Sequence, residues 1–494
     1  MKHRIFSITL AALMAVSAVS CSSTSTPVDS DDTTTSADST TAADTGNSSG
    51  VPAGLDLQGE TINIWYTTKA SSVAETFIDI AGELTGDILD DAIYNANKAV
   101  EDRLNVNLNY YNSQTPTSNT GTEVQKLLLA DDTTYDLYHV VQWNASTLAA
   151  EGLYLNVKDA PYLSLDKPWW DGEYMKEMTI GEDCLYALVG DYAVDRTRCL
   201  GNVYYNKSMY EDFYGDPDGL YQKVIDGDWT WEMLRDICAE VWSDINGNGS
   251  ADREDRLGAC LNNYNNLDGF FWGTGSRATD RDKDDNPVLV VNNERVINII
   301  EDMYSLCFET DGIFFSGGAY EDDVKNRTKF EEGSSMFLFG FFYTAEAMRD
   351  MSADYGIVPF PKYDEDQETY TSTVHNIIRL MVLPYNCQKV DAVCAVLEEL
   401  SFEGYNNVLP SYYDVLMKNK YARDDVSASM IDIIRDNCTM DIALIYNTAF
   451  NGMGMIYRTL MQAKSSDFSS EYAKRLTAAE TSIASFVEQF RSVE

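Results

Sequence analysis

From Thr61 to Val141 the hydrophobic period switches back and forth between two and about 3.6 residues, and this alternation limits the folds open to the chain. Thr61–Tyr66 (TINIWY) reads as an opening strand. Residues 88–104 place Leu89, Ile93, Ala96, Val100 and Leu104 on one helical face. Val106–Tyr111 alternates as a strand, Gln125–Ala130 is a short helix, and Asp136–Val141 (DLYHVV) is a strand. A β-α-β-α-β rhythm of this kind predicts an open α/β sheet. A second set follows. Leu185–Val189 and Leu200–Tyr205 read as strands, and Trp231, Leu234, Cys238, Val241 and Trp242 follow Thr230, a fitting N-cap. Helices are expected through Val296–Cys307 and Cys394–Leu400, strands at Ser335–Phe339 and Arg379–Pro384, and a long amphipathic helix through Tyr472–Phe490.

The N-terminus has a different character. Lys2, His3 and Arg4 precede an apolar run at 5–19, then Ser20 and Cys21. This is the layout of a secretory signal, and the run is short for a membrane span. Ala18-Val19-Ser20-Cys21 resembles a bacterial lipobox, which makes residues 1–20 a signal peptide and Cys21 the lipidated residue. Residues 22–50 are nearly all Ser, Thr, Asp, Ala and Gly, with no aromatic residue. Such a segment buries too little apolar surface to fold, so 21–54 is expected to be a disordered tether with a reach of roughly 30 Å. A plain signal peptide ahead of a disordered tail is the simpler alternative.

The remaining ~440 residues are too many for one small core and suggest two lobes. The net charge of −43 argues against nucleic acid, whose phosphates require Lys and Arg. It argues equally against polybasic docking on anionic lipid. Eight cysteines beyond Cys21 are scattered without a CxxC, so no zinc or thioredoxin motif is indicated. Cys184 and Cys199 could face each other in a hairpin, and free buried thiols fit as well. Three histidines leave little room for His-based catalysis.

The sharpest local motif runs from Asp244 to Asp255. Oxygen side chains stand at positions 1, 3, 5, 9 and 12 (Asp244, Asn246, Asn248, Asp252, Asp255), Ser250 offers its carbonyl at position 7, and Gly249 holds position 6. Ca²⁺ needs several oxygens converging on one point, and this is the spacing of the twelve-residue calcium loop. Asp replaces Glu at position 12, and the exit (RLGACLNN) reads as strand, so a structural clip is expected here and not a sensor. A metal-free acidic turn is the plainer reading.

Aromatic clusters stand near expected strand ends: Trp65-Tyr66, Gln142-Trp143-Asn144, Phe270-Phe271-Trp272 and Phe341-Phe342-Tyr343. Ligands of open α/β sheets bind outside the carboxyl ends of strands, which favours such aromatics as binding platforms, although each would also suit a core. Pro168-Trp-Trp-Asp171 reads as packing. G-x-S-x-G, H-E-x-x-H, Walker A and dinucleotide fingerprints do not occur.

Six segments in order resemble the family 1 extracellular solute-binding proteins of bacterial ABC importers, the maltose-type group. They are Tyr135-Asp-Leu-Tyr138, Gly152-Leu-Tyr-Leu155, Val203-Tyr-Tyr-Asn-Lys207, Asp228-Trp-Thr-Trp-Glu232, Phe330-Glu-Glu-Gly-Ser-Ser-Met336 and Asp354-Tyr-Gly-Ile-Val-Pro-Phe-Pro361. Pro168–Asp171 and the calcium-like loop resemble its lipoprotein subgroup. The resemblance implies an α/β, type II periplasmic-binding-protein-like fold with the ligand cleft between lobes. Lobe I would take 55–198 plus 376–420, and lobe II 199–375 plus 421–494. It implies ligand contacts at Trp143, Trp272, Phe271, Phe341 and Tyr343, beside which Trp65 is a candidate by its place at a strand end, and no catalysis. It further implies a monomer lipid-anchored on the outer face of the cell membrane, which captures a solute, most readily a carbohydrate, for an ABC permease. The competing readings are a secreted carbohydrate-active hydrolase and a surface adhesion module.

Overall fold

The computed structural model describes residues 48–68, 80–181, 183–263, 265–318, 320–416 and 425–492. The expected signal peptide, Cys21 and the tether as far as Asn47 lie outside the described residues. Among those described, the strands in chain order are β1 (Glu60–Tyr66), β2 (Val106–Asn112), β3 (Leu137–Val141), β4 (Gly201–Asn206), β5 (Leu257–Leu261), β6 (Thr279–Arg281), β7 (Pro287–Leu289), β8 (Ile313–Phe315), β9 (Ser335–Phe341), β10 (Tyr355–Val358) and β11 (Arg379–Val382).

Two sheets organise them. The first has the order β11-β3-β1-β2, with β1, β2 and β3 parallel and β11 antiparallel to β3. The second has the order β10-β4-β9-β5-β8, with β9, β5 and β8 parallel and β4 antiparallel to both β9 and β10. A short antiparallel hairpin, β6-β7, stands apart. Parallel strands need helices on their faces, and the helical periodicities provide them. Helix Ile88–Leu104 starts at Asp87, whose carboxylate accepts the amides of Leu89 and Asp90, and it buries Leu89, Ile93, Ala96, Val100 and Leu104. Helix Trp231–Val241 is capped by Thr230, whose hydroxyl accepts the Met233 amide.

The chain passes between the sheets along paired segments. Gly201 donates its amide to Thr373 (2.9 Å) and His375 donates to Cys199 (2.9 Å), while Ser372 and Asn437–Thr439 pair alongside. Leu185–Val189, expected as a strand, makes only isolated bridge pairing, at Leu188 with Met381. It touches β11, the edge strand of the first sheet, at that one position, and its apolar residues are buried.

Residues 48–54, assigned to the tether on composition, are partly packed on the body. Val51 is buried, Gly50 donates its amide to Glu398 (2.9 Å), and Arg103 donates to the Pro52 carbonyl (2.9 Å). A Cβ on Gly50 would lie 2.7 Å from the Tyr162 carbonyl oxygen, so a larger residue there would force the backbone apart. The buried Glu398 also accepts the Ser164 amide and the Trp170 indole N–H (2.8 Å). Trp169 and Trp170 are therefore packing residues, as expected. Helix Val390–Glu403 continues into one π-helical stretch, Gly404–Val408. There Gly404 passes so close to the Asp191 carbonyl that a Cβ would sit 1.7 Å away.

Candidate functional site

The parallel strands of each sheet end on one side, and those carboxyl ends are where an α/β sheet presents ligand-binding groups. On the first sheet, β3 runs directly into helix Gln142–Ala150. Trp143 in its first turn is half-buried and lines a pocket of about 120 Å³ with Gln142, Asn376, Leu444, Ile445, Asn447, Thr448 and Met455. Three stretches of chain meet here: the exit of β3, the returning segment before β11, and the C-terminal segment 444–455. Gln142 holds the wall in place. Its amide N–H donates to Ile378 (2.9 Å), and its side-chain oxygen accepts the Tyr174 hydroxyl. An indole beside the carboxamides of Asn376 and Asn447 suits a ligand that pairs apolar ring faces with hydroxyls.

On the second sheet, β9 ends at Phe341. Its ring stacks on Tyr343 (centroids 5.3 Å, 21° between planes) and meets the His375 ring edge-on at 4.7 Å. Tyr343 is half-buried and Phe341 nearly fully buried. Burial, together with the Arg458 charge, pushes the His375 pKa down to about 3, so its ring is neutral. Its Nδ1 accepts the Ile377 amide. The carboxyl end of β5 contributes Asn262 and Asn263, which lie outside the expected aromatic platforms. Asn262 donates through its side chain to Asp323, whose carboxyl is pushed up to about 7 by burial and by neighbouring Asp322. The signal was the Asn-rich run LNNYNN just past a strand, legible through the same carboxyl-end rule that singled out Trp143.

Three expected platforms are interior side chains. Trp65 is 1% exposed, because β1 is a central strand covered on its faces, and its ring packs against Tyr138. Phe271 and Trp272 lie within helix Asn265–Gly273, not in a loop. Phe271 stacks on Tyr457 (4.4 Å, 16°), and Trp272, 2% exposed, donates its indole N–H to the Tyr457 hydroxyl at 3.0 Å. That hydroxyl donates to Asp268 (2.6 Å), which is also held by Arg458. The Phe271 ring and the indole N–H of Trp272 are thus committed to the protein's own Tyr457.

The loop Asp244–Asp255 joins helix Trp231–Val241 to β5 and is closed by the Ser243–Arg256 bridge. Gly249 adopts φ +75°, the left-handed turn its position requires. Asp244 accepts the amides of Gly247, Asn248 and Gly249, Asn246 accepts that of Asn248, and Asn248 that of Ser250. Asp255 is buried and accepts the Ile245 amide. Asp252 accepts the Glu254 amide and the side-chain amides of Asn246 and Asn248, and these hydrogen bonds lower its pKa. Among the described residues no set of three or more His, Cys, Asp or Glu side chains gathers as a metal cluster. The loop is curled around its own carboxylates through hydrogen bonds.

All eight cysteines beyond Cys21 are free, Cys184 and Cys199 included. Among the described residues no helix is long and apolar enough to cross a membrane.

No protein-family model matches the sequence, and no curated protein sequence matches it. Solved structures do match the fold. A cyclo/maltodextrin-binding protein complexed with maltotetraose aligns at TM-score 0.54 and 10% identity, over 88% of this chain and 97% of that one. An ABC transporter solute-binding protein from Thermotoga lettingae, bound with α-D-tagatose, aligns at 0.52 and 16% identity, over 87% and 100%. The GacH receptor of Streptomyces glaucescens, solved unliganded and with acarbose, aligns at 0.50 and 12% identity, over 88% and 98%. The chain has the α/β, type II periplasmic-binding-protein fold.

Proposed function

We propose that this protein is a substrate-binding protein that captures an extracellular carbohydrate and delivers it, unaltered, to an ABC importer permease. The observation that carries the reading is the pocket at the β3 exit. There an indole and the carboxamides of Asn376 and Asn447 converge where the chain returns from one sheet to the other, in a fold shared with proteins solved with sugars bound. Ligand contacting both lobes stabilises the closed form, because only closure completes its contacts. The protein acts at the outer face of the membrane, held through a lipid on Cys21, and the loop 244–255 takes Ca²⁺ as a structural clip. In that clip Asp244, Asn246, Asn248, Asp252 and Asp255 supply side-chain oxygens and Ser250 its carbonyl.

Differential scanning fluorimetry against maltooligosaccharides, acarbose, ketohexoses and a peptide library tests the reading, since a ligand specific to the native state raises the midpoint. Recovery of the hit sugar intact after prolonged incubation separates capture from hydrolysis. A library in which only peptides shift the midpoint would remove the carbohydrate assignment.

A further inference from the structure

Helix Ile88–Leu104 lies between the parallel strands β1 and β2 and returns antiparallel to them. Its first turn therefore stands at the carboxyl ends of the strands, the same end of the sheet at which Trp143 lines its pocket. Beside this helix runs an open groove of about 430 Å³. One wall is the helix itself. The other is the π-helical stretch Gly404–Val408 and its flanks, which contribute Glu403, Asn407 and Ser411. π-Helical turns are rare and recur at functional sites. The groove follows the helix from Ile88 to Ala99, about 16 Å at 1.5 Å per residue. Ala92, Ala96 and Ala99 line the helix side, and side chains this small let another backbone come close.

The charged groups that line the groove are carboxylates, Asp91 and Glu403. Asp91 accepts the amides of Thr85 and Gly86 through one oxygen, and Glu403 accepts the side-chain amide of Asn407 at 2.5 Å. Among the described residues neither carboxylate forms an ion pair. Asp87 and Asp90 add negative charge at the same end of the helix, and Ile88 is 44% exposed at the groove's mouth. Acidic walls, a small-residue side and an exposed apolar mouth complement a segment that carries Lys or Arg beside small apolar side chains. A second copy of this chain, at net charge −43, is a poor match by the same argument. We propose that this groove seats a Lys- or Arg-bearing extracellular segment of the importer permease. A permease seated there meets the end of the first sheet at which the Trp143 pocket opens. The proposal rests on the reading of the protein as the capture partner of an importer, and it adds the surface and the charge through which the two meet.

The test uses the full-length chain in cells that make it, with a sugar that raises its unfolding midpoint. A photo-crosslinking residue, p-benzoylphenylalanine, is introduced at position 95, on the groove's wall, and the crosslinked peptide is sequenced. We expect that peptide to come from an extracellular segment of a polytopic membrane protein, with Lys or Arg within a few residues of the crosslink. Glu403→Lys should lower both the crosslink yield and the uptake of the sugar at least about tenfold, with sugar affinity and unfolding midpoint unchanged. Asp91→Asn, which keeps an acceptor for the Thr85 and Gly86 amides, is the second variant should Glu403→Lys fail to fold, with a smaller loss in the same direction. A crosslink to a soluble protein, to a second copy or to nothing overturns the seat. So does wild-type uptake in a folded Glu403→Lys protein. In those cases wild-type sugar affinity, with uptake that depends on the gene, leaves the carrier reading standing. Uptake that is unchanged when the gene is deleted overturns the carrier reading and the seat together.

Discussion

The indole N–H of Trp272 donates to the hydroxyl of Tyr457, 185 positions further along the chain, at 3.0 Å. This bond makes Trp272 part of a buried relay through Tyr457 to Asp268 and Arg458. Among the described residues Trp143 makes no comparable hydrogen bond, and it stays half-exposed at a pocket. The two residues should therefore fail differently. Trp272→Ala should cost about 3–5 kcal/mol of stability, as large-to-small core substitutions do, with no specific binding defect in what still folds. Trp143→Ala should weaken sugar binding by about 2 kcal/mol or more with a smaller stability loss. Urea midpoints and calorimetric affinities on both variants decide this, and normal affinity in Trp143→Ala would take that residue out of the site.

Stability should fall between about pH 6.5 and pH 8. Burial pushes the Asp191 carboxyl up to about 8, with the nearby Arg196 charge opposing and Asp171 assisting, and Asp323 is pushed up to about 7. Each native carboxyl holds a proton that the unfolded chain releases above about pH 4, so stability drains away as pH rises toward the native value. His139 and His375 work in the opposite sense. Both are depressed by burial, so the unfolded chain binds protons below about 6.5 that the native state refuses. From about 4 to 6.5 the two effects oppose each other, and above that only the carboxyls act. Asp191→Asn should flatten the alkaline limb of a urea-midpoint profile. An equally steep limb in that variant would mean that Asp191 titrates normally.

Chelation should lower the unfolding temperature without abolishing the fold, and Asp244→Ala should remove the sensitivity. The loop has the oxygen spacing for Ca²⁺ and the left-handed glycine at its sixth position, while its carboxylates accept backbone amides. Because the same hydrogen bonds hold the turn without metal, the fold itself should survive. A midpoint indifferent to both chelator and added Ca²⁺ makes 244–255 a turn only.

Cys21→Ala should release the protein into the medium or leave its signal peptide uncleaved. The motivation is the lipobox-like 18–21 ahead of a Ser/Thr/Asp-rich run. Detergent-phase partitioning of the wild type and variant is the measurement, and identical membrane retention would end the lipoprotein assignment.

Substituting Gly404 by Ala should destabilise the protein, since its Cβ would collide with the Asp191 carbonyl at a point where neither backbone can yield cheaply. A variant with an unchanged midpoint would show that the π-helical stretch relaxes freely.

What the sequence determined by itself was local. Leu89, Ile93, Ala96, Val100 and Leu104 form the buried face of the first long helix because a 3.6-residue period is enough to align them. Thr230 caps its helix because a hydroxyl reaches an amide three residues on. The β-α-β-α-β order, and with it an open α/β sheet, follows from these short-range rules. Tertiary structure decided which apolar surfaces were already taken. Trp65 looks like a strand-end platform until β1 is seen to be central, with β3 and β2 on either side. Trp272 looks available until Tyr457 arrives from the far end of the chain. Residues 49–52 read as tether by composition, yet Glu398, Glu399 and Arg103 hold them, and none of these partners is near in sequence. Period and capping are set by neighbours within a few residues. The exposure of an aromatic ring or the docking of a polar strap is set by partners that only the folded chain brings within a few ångströms.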